Sequence, residues 1–263
     1  MGRVYSIVNQ KGGVGKTTTS INLGAYLGKF GQKVLLVDLD PQANATSCLG
    51  LDKNSIERGT YEVLIGAQPT QENILYNPHY SLSLLPSSPN LSGADIELID
   101  LPERESQLRK VIDPLRNRYD YILIDCPPSL GLLTLNGLMA AFDGVIIPVQ
   151  CEYLALEGLG QLTKTLTRVR QNLFPALSIK GVLLTMFDGR TNLSADVMRE
   201  VQRAFPNLVF NTIIPRSIRL AEAPSFGMPI SVYAPESNGA KAYQALAVEL
   251  LASNGTHINL GEE

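Results

Sequence analysis

Residues 9–19 read Asn9-Gln10-Lys11-Gly12-Gly13-Val14-Gly15-Lys16-Thr17-Thr18-Thr19, glycines interleaved with two lysines and closed by three hydroxyls. Without Cβ atoms, successive backbone N–H groups converge on a phosphate, and the start of a following helix adds partial positive charge. The cradle is expected over Gly12, Gly13, Val14, Gly15, Lys16, Thr17 and Thr18, with Lys16 reaching the β/γ-phosphates and the Thr17 hydroxyl entering a Mg²⁺ shell. A plain glycine-rich turn would not call for Gly-Lys followed by three threonines. Two further segments end in carboxylates, Asp38-Leu39-Asp40-Pro41-Gln42 and Asp125-Cys126-Pro127-Pro128. Carboxylates at strand ends face a ligand crevice, where they hold Mg²⁺-bound water or orient an attacking one. Thr17, Asp40 and Asp125 form the expected Mg²⁺ set. Asp38 stays open between that site and a structural role accepting backbone hydrogen bonds.

Such groups need rigid elements behind them. Short apolar runs at Val4–Val8, Val34–Val37, Leu82–Leu85, Tyr121–Ile124, Val145–Val149, Gly181–Met186 and Val209–Ile214 read as strands. Helical periods occupy Thr17–Lys29, Arg104–Arg118, Gly131–Ala141, Leu154–Asn172, Ala195–Phe205 and Gly239–Ala252. Strands without in/out alternation, separated by helices, imply an α/β fold: a doubly wound, mostly parallel sheet with helices on both faces. Ligands then bind at the carboxyl ends of the strands. No linker or repeat interrupts the chain, so one domain is expected over 1–252 with a short tail at 253–263. Residues 52–80 carry no clear pattern.

Composition closes off several alternatives. Hydrophobic residues make up 44% of 263, enough for a sizeable core, and the net charge of −3 excludes a generally basic nucleic-acid coat. Three cysteines without CxxC spacing argue against a disulfide scaffold or zinc ribbon and fit reduced thiols in the cytoplasm. No apolar run approaches the ~18 residues that span a bilayer. Met1-Gly2-Arg3-Val4-Tyr5-Ser6 fits an N-myristoylation pattern, but a buried strand from Val4 would leave a lipid on Gly2 little slack. The two histidines, His79 and His257, are isolated, and nothing resembles a nucleophilic triad.

The standard P-loop wants glycine at the position of Gln10. The form Lys11-Gly-Gly-Val-Gly-Lys16-Thr17 instead resembles the deviant Walker-A ATPases, which include partition, division-site and nitrogenase iron proteins. The stretches NQKGGVGKTTTSINLGAYL, VLLVDLDPQANATSCLG, YDYILIDCPPSLGLLTLNGL, VIIPVQCEYLALEGLGQL, GVLLTMFDGRTNLSADV and IIPRSIRLAEAPSFGMPI resemble the ParA/Soj partition branch in its own order, with 52–118 only loosely matched. The resemblance implies a slow ATP hydrolase using ATP and Mg²⁺, with Lys11, Lys16 and Asp40 as its catalytic residues. Lys11 would reach across a nucleotide-sandwich homodimer to the partner's phosphates. Asp125 would be the Walker B aspartate, Asp40 the switch I aspartate, and Pro215 would lie against the adenine. Hydrolysis would be stimulated by a ParB/Spo0J-type centromere-binding protein. A P-loop beginning by residue 11 leaves no room for a helix-turn-helix extension. Some relatives place an asparagine where Met186 stands, so here base selectivity would rest on backbone groups.

Charge suggests a second partner. Residues 160–219 carry nine basic against three acidic residues, +6, leaving −9 for the remainder of a −3 chain. Such asymmetry is either a solvated helix face or a footprint for phosphate backbones. The resemblance favours non-specific double-stranded DNA, with Arg190 and Arg219 leading and Arg216 weaker, and hence a nucleoid-associated cytoplasmic protein. A membrane-positioning ATPase of the MinD kind is the alternative. It would need a basic amphipathic helix at the end, where this chain reads Asn254-Gly255-Thr256-His257-Ile258-Asn259-Leu260-Gly261-Glu262-Glu263. Stable membrane binding is therefore not expected. An iron protein would need differently placed cysteines, and a small-molecule ligase would lack the partition-like stretches.

Overall fold

The computed structural model describes residues 1–66, 70–153 and 155–256. Seven strands, β1 (Arg3–Ile7), β2 (Val34–Asp38), β3 (Leu75–Asn77), β4 (Leu82–Leu85), β5 (Tyr121–Asp125), β6 (Val145–Gln150) and β7 (Ile179–Thr185), form one sheet in the order β3-β4-β2-β5-β1-β6-β7. All neighbours are parallel except the edge pair β3–β4. The helices are α1 (Lys16–Lys29), α2 (Asn44–Cys48), α3 (Thr60–Leu64), α4 (Ala94–Glu97), α5 (Gln107–Leu115), α6 (Leu132–Ala140), α7 (Ala155–Asn172), α8 (Asn192–Ala204), α9 (Ile218–Glu222), α10 (Ile230–Tyr233) and α11 (Asn238–Ser253). The helix expected from Leu154 is described from Ala155 onward.

Both sheet faces are covered, so strand residues alternate between two cores rather than between core and water. Val4, Leu35, Val37, Ile122 and Ile124 pack under α5, α6, α7 and α8. Tyr5, Ile7, Val34, Leu36 and Leu123 pack under α1 and α11. The doubly wound α/β class expected from the apolar runs is the one observed.

One expected strand is absent. Val209 and Pro215 form only isolated bridges, to Val182 and Phe187. Between them the amides of Asn211 and Thr212 donate to the Glu249 carboxylate of α11 at 2.7 and 2.9 Å, so the segment leaves the β7 ladder. Short α3 and the antiparallel β3 fall in the stretch 52–80 where no pattern was legible.

The last helix is tied down by Asn254. Its Oδ1 accepts from Tyr5 Oη (3.0 Å) and Lys180 Nζ (2.8 Å), and its Nδ2 donates to Tyr121 Oη (3.1 Å). Tyr5 and Tyr121 are buried, so Asn254→Ala leaves their hydroxyls without a partner, at a cost of about 2–4 kcal/mol. The expected result is a melting temperature about 5–10 °C lower by calorimetry; an unchanged midpoint would show that the helix end is not anchored there. Residues 257–263, including His257 and most of the expected tail, lie outside the described residues. Gly2 is buried and its N–H donates to Arg116 O at 2.7 Å, which agrees with a strand start rather than an acylation site.

Candidate functional site

Three strand ends meet in register. Ile7 of β1 and Asp38 of β2 both pair with Asp125 of β5, so the loops leaving these strands share one crevice at the carboxyl edge of the sheet. The glycine-rich loop spans it. Gly13 (φ 75°) and Gly15 (φ 90°) adopt the left-handed conformation that other residues resist, and α1 starts immediately after. Asn9 Nδ2 donates to Pro148 O (2.7 Å) and Asn9 Oδ1 accepts from Lys11 N (3.0 Å). Thr185 Oγ1 donates to Val14 O at 2.8 Å. The loop is thus pinned to the ends of β6 and β7. Val14 buries its side chain and offers only its backbone.

The crevice opens into a cavity of about 360 Å³ lined by Gly12, Gly13, Gly15, Lys16, Thr17, Thr18, Asp40 and Pro128, among others. A Cβ added at Gly12 or Gly13 would meet no protein atom within 4 Å, so these amides border open space of the kind a phosphate needs. The buried Lys16 amine donates to Lys11 O at 3.2 Å; burial lowers its pKa below the usual amine value, while Asp125, Cys126 and Asp40 act to raise it. Beneath it, Thr17 Oγ1 and Ser20 Oγ donate to the two Asp125 oxygens at 2.7 and 3.0 Å. Burial, reinforced by the carboxylate of Asp38, pushes Asp125 up to about 7. Asp125 reaches the cavity only through Thr17.

Asp38 resolves toward structure. It is fully buried and accepts from Asp40 N (3.2 Å), Thr46 N (2.8 Å) and Thr46 Oγ1 (2.7 Å), which fixes α2 below the cavity. Asp40 lines the cavity wall: Oδ1 accepts from Gln42 N at 2.9 Å, and its carbonyl accepts from Ser87 Oγ at 2.9 Å. Pro215 lines an adjoining, mostly apolar cavity of about 430 Å³ with Met186, Ile214, Leu220 and Tyr243. Met186 holds φ 50° and offers only a thioether.

Lys11 is not in its own cradle. Its amine pairs with Glu152 Oε2 at 3.3 Å, in a separate surface cavity shared with Asp188, Thr191 and Arg216. The three arginines are exposed or half-exposed, and each faces a carboxylate: Arg190 both oxygens of Asp188 (2.8 and 2.7 Å), Arg216 Glu152 (3.6 Å) and Arg219 Glu222 (2.9 Å). Cys126 and Cys151 are buried within the core under α6 and α7, with both thiols pushed up by burial, Cys151 to about 11. Sequence reasoning missed Gln42, Asn44, Asn22 and Met228 on the cavity wall. It also missed Glu152, whose only signal is its place two residues past the end of β6.

A glycine-rich loop between β1 and α1, over a buried carboxylate on the adjacent strand, defines a P-loop nucleotide-binding protein. The comparisons narrow the class. A family model described as an AAA domain matches residues 2–179. The sporulation initiation inhibitor protein Soj of Bacillus subtilis (strain 168) is 51% identical over 255 residues, covering 97% of this chain and 100% of that one. The chromosome partitioning protein ParA of Myxococcus xanthus is 51% identical over 251 residues, covering 95% of this chain and 88% of that protein. Among solved structures, cobyrinic acid a,c-diamide synthase of Mycobacterium smegmatis with bound ADP and magnesium matches with a TM-score of 0.85 at 38% identity, over 98% of this chain and 100% of that one. The chain belongs to the ParA/Soj family of chromosome partitioning ATPases.

Proposed function

We propose that this ATPase is a nucleotide-timed DNA-segregation switch, built from one P-loop domain over 1–252. The observation that carries the reading is the division of labour between the two lysines. Lys16 sits buried on the floor of the cradle, while Lys11 points out of it toward a surface where a second copy can present its phosphates. Backbone amides of Gly12–Thr18 and the Lys16 amine would hold the phosphates, with Pro215 against the base. Thr17, with Asp125 behind it and Asp40 across the cavity, would hold Mg²⁺. Among the described residues no three His, Cys, Asp or Glu gather as a metal cage, and Mg²⁺ suits a site that leaves it waters and phosphate oxygens. Bound ATP would supply the phosphoanhydride bond whose hydrolysis ends the dimeric state. Asp40 would orient the water.

The homodimer would join two copies of the basic 160–219 segment, making phosphate contacts bivalent. Arg190, Arg216 and Arg219 are each balanced by a carboxylate, so a phosphate must compete with that partner. Exposed ion pairs of this kind are weak and screened by solvent, so a DNA backbone can displace the carboxylates. The relatives' names speak of chromosome partitioning; a centromere-binding stimulator of the ParB/Spo0J type and nucleoid association would accompany that role. No helix among the described residues is long and apolar enough to cross a membrane.

The test is binding to a random-sequence duplex with ATP, ADP or no nucleotide over a salt series. Binding with ATP alone is expected, and about six engaged phosphates give a log–log slope of roughly −5. Arg219→Ala removes one phosphate contact from each copy, so it should reduce the magnitude of that slope by about two and weaken binding with dimerisation intact. Equal, negligible binding in all three states would reduce the basic segment to a solvated face. Loss of dimer and DNA binding together would make Arg219 structural.

A further inference from the structure

Around the end of β6, one carboxylate serves two cations from different parts of the chain. Glu152 Oε2 takes the Lys11 amine at 3.3 Å, and Glu152 Oε1 takes Arg216 at 3.6 Å and the side-chain amide of Gln150. Lys11 belongs to the glycine-rich loop, and Arg216 to the segment that leaves β7 and lines the apolar cavity. Backbone contacts fix both: Lys11 N donates to Asn9 Oδ1, and Arg216 N donates to Phe187 O at 2.9 Å. Asp188, the other acid bordering this cavity, is engaged by both Nε and Nη2 of Arg190. Glu152 is thus the acid on which Lys11 and Arg216 converge.

We propose that Glu152 is a clasp that holds the nucleotide-free monomer, restraining Lys11 and Arg216 with the same carboxylate. The inference rests on the reading of Lys11 as the lysine that serves a second copy. The Lys11 amine rests on its own Glu152 at 3.3 Å, and reaching a partner's phosphate draws it off that carboxylate, so dimer formation opens the clasp. Opening withdraws one of two cations from Glu152 and leaves Arg216 the more tightly held, so the residue also restrains the DNA arginine after the dimer forms. Removing the carboxylate frees both. Each exposed pair is weak, and about threefold per clasp is a fair expectation. Two clasps open per dimer, so the association constant gains about tenfold. Because the pairs are exposed, salt screens them, and wild-type dimerisation should strengthen as salt is raised through 0.1 M before other contacts weaken.

The experiment compares wild type, Glu152→Gln and Glu152→Asp as full chains. In the nucleotide-free protein, Lys11 is labelled with acetic anhydride in short pulses and followed by peptide mass spectrometry. The ion pair shields the amine, so labelling of Lys11 is expected to run several-fold faster in Glu152→Gln, with Lys53 and Lys241 unchanged. Glu152→Asp, one methylene shorter, should behave like Glu152→Gln. Sedimentation with Mg²⁺ and a non-hydrolysable ATP analogue should then show Glu152→Gln dimers at about tenfold lower chain concentration, without the salt-strengthened phase. Unchanged Lys11 labelling overturns the clasp whatever the oligomeric state. Faster labelling with unchanged or weaker dimerisation overturns its restraining role. A wild type that never dimerises, with labelling still faster in the variant, rejects the dimer reading and retains the Lys11–Glu152 contact. Equal thermal midpoints without nucleotide separate all of these from misfolding.

Discussion

Lys16→Ala is expected to lose Mg·ATP binding by a factor of at least about 100, with the fold intact. The Lys16 amine is buried, donates to the Lys11 carbonyl at 3.2 Å and lies on the floor of the cavity into which Gly12 and Gly13 open. Its pKa is lowered by burial, with nearby acids acting to raise it, so the folded protein holds this charge at some cost. A charge-assisted hydrogen bond to a phosphate contributes about 1.5–3 kcal/mol, and a cation held this close to the cradle serves more than one phosphate oxygen. Losing about 3 kcal/mol corresponds to a factor of roughly 100 or more in affinity. Stability should not follow affinity. Alanine removes a costly buried charge with no carboxylate in direct contact, so the nucleotide-free melting temperature should stay level or rise slightly. The rise in melting temperature that ligand gives wild type should vanish. Calorimetric titration with Mg·ATP reads the first effect and a thermal melt the second. Wild-type affinity in the variant would place the phosphates elsewhere.

Much of this site was legible because its parts are local. The glycine-rich loop, Lys16 and Thr17 occupy adjacent positions, and Asp40 and Asp125 each follow an apolar run that could hardly be anything but a strand. Asp38 was ambiguous because its role depends on Thr46, eight residues on, whose amide and hydroxyl come back to it only once α2 has formed. The strand expected at 209–214 failed for a similar reason. Its apolar pattern fits β-structure, but Glu249, far along the chain, captures two amides that a ladder would have used. The edge strand β3 is three residues long, with Leu75 and Tyr76 exposed, so it presents no hydrophobic period to read. Glu152 carried no signal because a single glutamate after a strand gains meaning only from Lys11 and Arg216. What sequence conveys poorly is which distant side chain completes a local hydrogen-bonding need.

Those same contacts decide what should happen at Asp40. Its Oδ1 is occupied by Gln42 N at 2.9 Å, and its backbone carbonyl is held by Ser87 Oγ. Oδ2 makes no hydrogen bond among the described residues, and the side chain borders the cavity with Lys16 and Thr17. A carboxylate fixed through one oxygen, with the other unpaired on a residue that borders the ligand space, can orient a water without reorganising itself. Asp40→Ala should therefore lower kcat by about 10²–10⁴, the range typical for removing a positioned acid or base. ATP affinity should change only a few-fold, because the backbone cradle and Lys16 are untouched and Thr17, backed by Asp125, would still hold Mg²⁺. The pattern is the reverse of Lys16→Ala: nucleotide binds and is not turned over, so the proposed ATP dimer should persist rather than decay. Single-turnover hydrolysis and sedimentation after ATP addition measure the two halves separately. Asp40→Asn keeps an acceptor for Gln42 N and should show the same loss of kcat, which separates the charge from the turn it supports. A kcat near wild type in both variants would move water orientation to another residue, and a variant that stays monomeric with ATP bound would place Asp40 in the assembly step instead.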